Sequence, residues 1–194
     1  RKLTVQPAGY FNSEIRPILD DEKAIEMGLD PLEDEALAIT RKTREDLAKA
    51  PQPKAVWQKF TNFVDKYNFK KTNFYAPLAA GYNIIGFDLP IVDRMCEQYG
   101  PKHKKTGRQG LFSPIYKLDL MHTVWMWMEN NADIKSLSMD SMRDLLGMDK
   151  DNAHDALQDV KDTANILIAF MKLHRRFSPN VKFEKAFADG NVHI

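Results

Sequence analysis

Downstream of Pro51 and Pro53, apolar side chains recur at steps of three and four: Val56, Trp57, Phe60, Phe63, Val64 and Tyr67. That spacing predicts an amphipathic helix with one face turned to a core. Upstream, β-formers in Lys2 to Val5 and Tyr10 to Arg16 flank Pro7, Ala8 and Gly9, which predicts two strands joined by a turn. Between Asp21 and Lys49 the chain is charged and interrupted by Gly28 and Pro31, with weak helical periodicity through Ala36, Leu37, Ile39 and Leu47. A pair of short surface helices is expected there.

The second half alternates between two kinds of pattern. Leu78 to Tyr82 is a short apolar run before Asn83, as expected of a buried strand, and a helix follows from near Asp88 until Gly100 and Pro101 stop it. Ile115 to Leu120 predicts another strand, feeding a helix whose Trp125, Met126, Trp127 and Met128 are expected in the core. Ser138 is placed to cap a short helix with Met139, Met142, Leu145 and Leu146 on its apolar side, ended by Gly147. The last helix is expected from about Asp155 to His174, burying Ala156, Val160, Ala164, Leu167 and Met171. A hairpin followed by strands alternating with helices argues for an α/β fold, a mixed sheet flanked by helices.

Composition narrows the class. With 194 residues, 43% hydrophobic and 28% charged, the chain has enough apolar material for one core, and residues 1–194 are read as a single domain. A net charge of +1 does not announce a polyanion partner, so any nucleic-acid site must be local. No apolar run reaches bilayer length, and Cys96 is the only cysteine; both suit a cytoplasmic, intracellular protein with no membrane partner. The absence of a Gly-rich phosphate loop disfavours a small-molecule enzyme on a dinucleotide-binding sheet.

Two passages carry candidate chemistry. In Asn83-Ile84-Ile85-Gly86-Phe87-Asp88-Leu89-Pro90, Asp88 sits where a carboxylate can cap a helix and Pro90 lies in the first turn. In His154-Asp155-Ala156-Leu157-Gln158-Asp159, Asp155 and Gln158 have capping-box spacing, which leaves His154 outside the helix and Asp159 one turn inside it. Taken singly, each has a structural explanation, a cap or a lone histidine at a helix start.

Together the two passages resemble the second and third motifs of the DEDDh exonucleases, the group that includes the proofreading subunit of bacterial DNA polymerase III and ribonuclease T. Tyr10 to Pro17 is similar to the family's third strand, Leu137 to Gly147 to the helix before its catalytic histidine, and His154 to Leu167 to its last helix, in matching order from Lys2 to Met171. The resemblance implies a ribonuclease-H-like fold with a mixed five-stranded sheet flanked by helices. It also implies a metal-dependent 3'-to-5' exonuclease acting on single-stranded or frayed DNA and releasing nucleoside monophosphates. Asp88 and Asp159 would hold two divalent ions, Mg²⁺ or Mn²⁺, and His154 would be the general base; oxygen ligands and a near-neutral imidazole suit those roles. Asn83 would lie beside the substrate. A DNA 3' end is the expected partner, with a DNA polymerase or the replication machinery as a further one, in DNA replication or repair.

The family's first motif, an Asp and a Glu one residue apart on a central strand, belongs upstream of Lys2. The expectation is that the native protein carries it on an N-terminal segment preceding Arg1, and that activity depends on it. Asp20, Asp21 and Glu22 have the right letters but follow Pro17 in what resembles a loop. Two other readings stay open: an RNA-directed exonuclease of the same family, and a catalytically silent nucleic-acid-binding or scaffold relative. Tyr82 and Phe87 could stack on terminal bases or pack in the core. Lys102, His103, Lys104, Lys105 and Arg108 form a basic loop that could meet phosphates near the site, though solvated loop is the plainer reading. Asp119, ending a strand, is left unassigned.

Overall fold

The computed structural model describes residues 7–149 and 155–177. The first expected strand, Lys2 to Val5, as well as His154 and the tail from residue 178 onward lie outside them.

Three short helices open the fold, α1 (Asp21–Glu26), α2 (Asp34–Thr40) and α3 (Arg44–Lys49), one more than the charged text suggested. Asp20 caps α1 by accepting from the Lys23 amide (3.2 Å), and Asp21 pairs with Arg44 (3.2 Å). The acidic letters at 20 and 21 thus have structural occupations. Helix α4 (Pro53–Asp65) begins with Pro at its first position, where a missing amide hydrogen is harmless. It buries Val56, Trp57 and Val64, as the periodicity predicts.

The sheet is smaller than expected. Among the described residues it has two parallel strands, β1 (Ala79–Gly81) and β2 (Lys117–Asp119), with Gly81 opposite Asp119. Tyr10 to Arg16 forms no strand. An extended segment becomes a strand only when a neighbour completes its ladder; here the Arg16 amide binds the Pro51 carbonyl (2.9 Å), and Phe11 packs on Phe60 and Phe63 with ring centroids 5.6 and 6.0 Å apart. The segment is held by aromatic packing on α4.

After β1 come α5 (Asp88–Tyr99), and after β2 α6 (Leu120–Met128), α7 (Met139–Leu146) and α8 (Ala156–Phe177). Ser138 caps α7 by accepting from the Ser141 amide, and Gly147 ends it with φ +63°, a left-handed conformation that glycine adopts without a Cβ clash. Two expected faces are corrected. On α6 the buried positions are Leu120 and Val124, one turn apart, so Trp125 and Met126 rotate outward to solvent and Trp127 sits at the edge against Phe170. On α8 the buried positions are Asp162, Ile166 and Phe170, whereas Val160 is 63% exposed. The true stripe steps by four through an aspartate, which a search for apolar letters passes over.

The core has three parts. Trp57, Val64, Cys96 and Leu111 join α4 to α5; Val124, Met142, Ile166 and Phe170 join α6, α7 and α8; Ala79, Ile84 and Leu89 lock the β1–α5 junction. No helix among the described residues is long and apolar enough to cross a membrane.

Candidate active site

The β1–α5 junction is built around two constraints. Asn83 has φ +57°, a conformation that asparagine tolerates better than most residues, and its carbonyl accepts from the Phe87 amide (3.1 Å). Asp119, at the end of β2 and 5% exposed, reaches across to accept from the amides of Asn83 (2.9 Å) and Ile85 (3.2 Å), and from Met121 (3.1 Å) at the start of α6. One buried carboxylate therefore caps a helix and fixes the loop that leads to Asp88. This residue went unassigned in the sequence; its signal was an Asp directly before an apolar helix.

Asp88 is the first residue of α5, with Phe87 at the cap position and no side-chain cap bond. The capping reading is thus corrected: the amides a cap would satisfy are met partly by backbone, as Leu89 donates to the Ile84 carbonyl (2.8 Å). Burial pushes the Asp88 carboxyl above its ordinary value; its own amide opposes that shift, and the charge of Asp119 adds to it. Phe87, beside it, is 65% exposed, and Asn83 is exposed. Tyr82 turns the other way, packing on the cluster of Val124, Met142, Ile166 and Phe170 and donating its hydroxyl to the Leu137 carbonyl. Desolvation and the nearby Asp119 push its phenol up to about 12.

Asp159 lies in the first turn of α8. Asp155 precedes the helix and accepts from the Gln158 amide (3.0 Å), half of the expected capping box; the Gln158 side chain donates instead to Asp162 (2.8 Å). Asp159 Oδ1 accepts from Nη2 of Arg143, a residue only 1% exposed. The same guanidinium donates through Nε to buried Asp162 (2.9 Å) and through Nη1 to Asp140 (2.8 Å). Burial alone would lower the Arg143 pKa, and the hydrogen bonds to Asp162, Asp159 and Asp140 outweigh it, so the group stays a cation. Arg143 and Asp162 escaped the sequence reading; the clue was Asp162 in register with Ile166 and Phe170.

A cleft of about 710 Å³ opens between the extended segment at Asn12–Glu14, α2 and the first turn of α8, with Lys42, Asp155 and Gln158 on its wall. The basic residues beyond α5 form a tied hairpin: Lys102 is bridged to Gln109, and His103 Nδ1 accepts from the amides of Lys105 and Thr106 (3.2 Å each). It stands at the far end of α5 from Asp88, about 18 Å away by helix rise.

The donor chemistry suits a hard divalent cation in kind. Asp88 and Asp159 both offer carboxylate oxygens, and Asp159 Oδ2 has no partner among the described residues. Among those residues no three His, Cys, Asp or Glu side chains converge as a ready metal cluster.

The mixed α/β architecture sets one carboxylate at the start of α5 and another in the first turn of α8. The family model for exonucleases of the ribonuclease T type matches residues 28–167, and the chain belongs to that family, as a DEDDh-type member of the ribonuclease-H-like superfamily. Comparison with curated proteins and with solved structures found no match. The family generally uses divalent metals, and membership implies a nuclease hydrolase with a nucleic-acid substrate.

Proposed function

We propose that the chain is a 3'-to-5' exonuclease that releases nucleoside monophosphates from single-stranded or frayed DNA. In this reading Asp88 and Asp159 hold divalent ions, Mg²⁺ or Mn²⁺, and His154 takes the proton of the attacking water. The carrying observation is the family match, whose span from 28 to 167 takes in all three residues. Bound ions would supply the charge that activates water and stabilises the leaving 3' oxygen. The protein's own contribution is positional: Asp119 fixes the loop before Asp88, and the exposed Phe87 ring beside it offers a face for a terminal base.

The test uses the full-length native protein with 3'- and 5'-labelled DNA and RNA oligonucleotides, with and without Mg²⁺. Expected is metal-dependent release of mononucleotides from the 3' end of DNA, abolished in Asp159→Ala and lowered by about 10² to 10⁴ in His154→Ala. Undiminished turnover by Asp159→Ala would remove the proposed site. Cleavage of RNA alone would move the substrate class, and binding without turnover would favour the silent relative.

A further inference from the structure

We propose that Arg143 is a positioning residue: anchored on buried Asp162, it clamps one oxygen of Asp159 and leaves the other to meet a divalent ion. The inference rests on the reading of Asp159 as a metal ligand. It starts from an asymmetry in burial. The Arg143 side chain is 2% exposed and that of Asp162 4%, whereas Asp159 is 40% exposed. Cation and counter-charge therefore sit beneath the surface, and two carboxylates reach outward, Asp140 at 47% exposure on α7 and Asp159 in the first turn of α8, the one in the family's third motif.

The hydrogen bonds give the clamp direction. Nε and Nη1 are occupied by Asp162 (2.9 Å) and Asp140 (2.8 Å), so the guanidinium plane is fixed before Nη2 reaches Asp159. Asp162 is itself held by the Gln158 side chain on its other oxygen (2.8 Å). Two helices are thereby tied together, Arg143 and Asp140 on α7 with Asp159 and Asp162 on α8. The single positive charge of Arg143 is shared among three carboxylates, so Asp159 keeps acidic character at Oδ2 for a divalent cation. A lysine at 143 keeps the charge but lacks the planar fork that serves three acceptors at once.

Groups that hydrogen-bond to a ligand carboxylate orient it, and their loss commonly weakens metal affinity by about 10- to 100-fold. The test is Mn²⁺ binding, followed by electron paramagnetic resonance of the free ion, on the full chain and on Asp159→Asn, Arg143→Lys and Asp162→Asn. The metal concentration giving half-maximal activity and the rate at saturating metal are measured alongside. Expected are weakened binding in all three variants and, for Arg143→Lys, a raised metal requirement with the saturated rate largely kept. A purely structural role would lower the amount of folded protein without shifting the metal midpoint. If Arg143→Lys does not fold, Asp162→Asn carries the test, because it removes the buried charge that anchors the guanidinium while retaining Arg143.

Unchanged or tighter Mn²⁺ binding in the folded Arg143 or Asp162 variant, with weakened binding in Asp159→Asn, overturns the clamp alone. Unchanged binding in Asp159→Asn overturns the reading of Asp159 as a ligand, and the clamp with it.

Discussion

Asp88 is exposed as a residue, yet partial desolvation and, less strongly, the charge of Asp119 disfavour ionisation of its carboxyl and push it above its ordinary value. Well below about pH 3.9 the group is protonated in the folded and unfolded chains alike, and the shift has no effect on stability. As pH rises from there through the raised native value, the unfolded chain ionises first, so the native state loses stability; above that value the loss is complete. Asp88→Asn removes the titration. In EDTA the variant is expected to melt above the parent at pH 7, with the difference gone by about pH 3. Equal melting temperatures at pH 7 would mean that the carboxyl is as well solvated as in the unfolded chain. Asp88, Asp159 and His154 could be proposed from the sequence because their motifs are local. Arg143 and Asp119 were not legible, because each acts through partners far along the chain: Arg143 on Asp159 and Asp162, Asp119 on Asn83 and Ile85.

Among elements, the β1–α5 junction depends most on a single position. A Cβ built on Gly81 would lie 1.9 Å from Ile84 Cγ2, and Ile84 is 6% exposed in the cluster with Ala79 and Leu89. Gly81→Ala must push Ile84 out of that cluster and bend the loop that Asp119 holds. The expected cost is about 1–3 kcal/mol, read as a lower urea midpoint with an unchanged slope. A midpoint equal to the parent's would mean that the junction relaxes freely. Periodicity located α4, and start, stop and cap signals located α5 and α7, because those signals lie within or beside each helix. The outward turn of Trp125 and Met126 was lost to the same method, since hydrophobicity alone does not say which side of α6 the neighbouring helices cover. The α8 stripe was misread because its buried face begins with the ion pair of Asp162 and Arg143.

At the scale of the whole molecule, the three apolar clusters meet through few side chains, and Phe112 packs against both the α4–α5 cluster and the β1–α5 cluster. The sheet expected from the resemblance was only partly legible, because pairing is set by neighbours distant in sequence and Tyr10 to Arg16 found an aromatic surface rather than a strand. Cys96 gives a direct probe of how tightly the α4–α5 cluster is closed. It is 0% exposed among Trp57, Val64 and Leu111, and burial pushes its thiol upward, partly offset by a backbone hydrogen bond from Gly110. Reaction with an aromatic disulfide reagent therefore requires α4 and α5 to separate, which adds an opening cost to an already less ionised thiol. Native Cys96 is expected to label roughly a thousandfold more slowly than the unfolded chain, with a rate that rises with urea along the unfolding transition. Fast labelling that ignores urea would mean that this cluster opens locally, without the rest of the fold. Because α5 carries Asp88 at its other end, such opening would also loosen one wall of the proposed site.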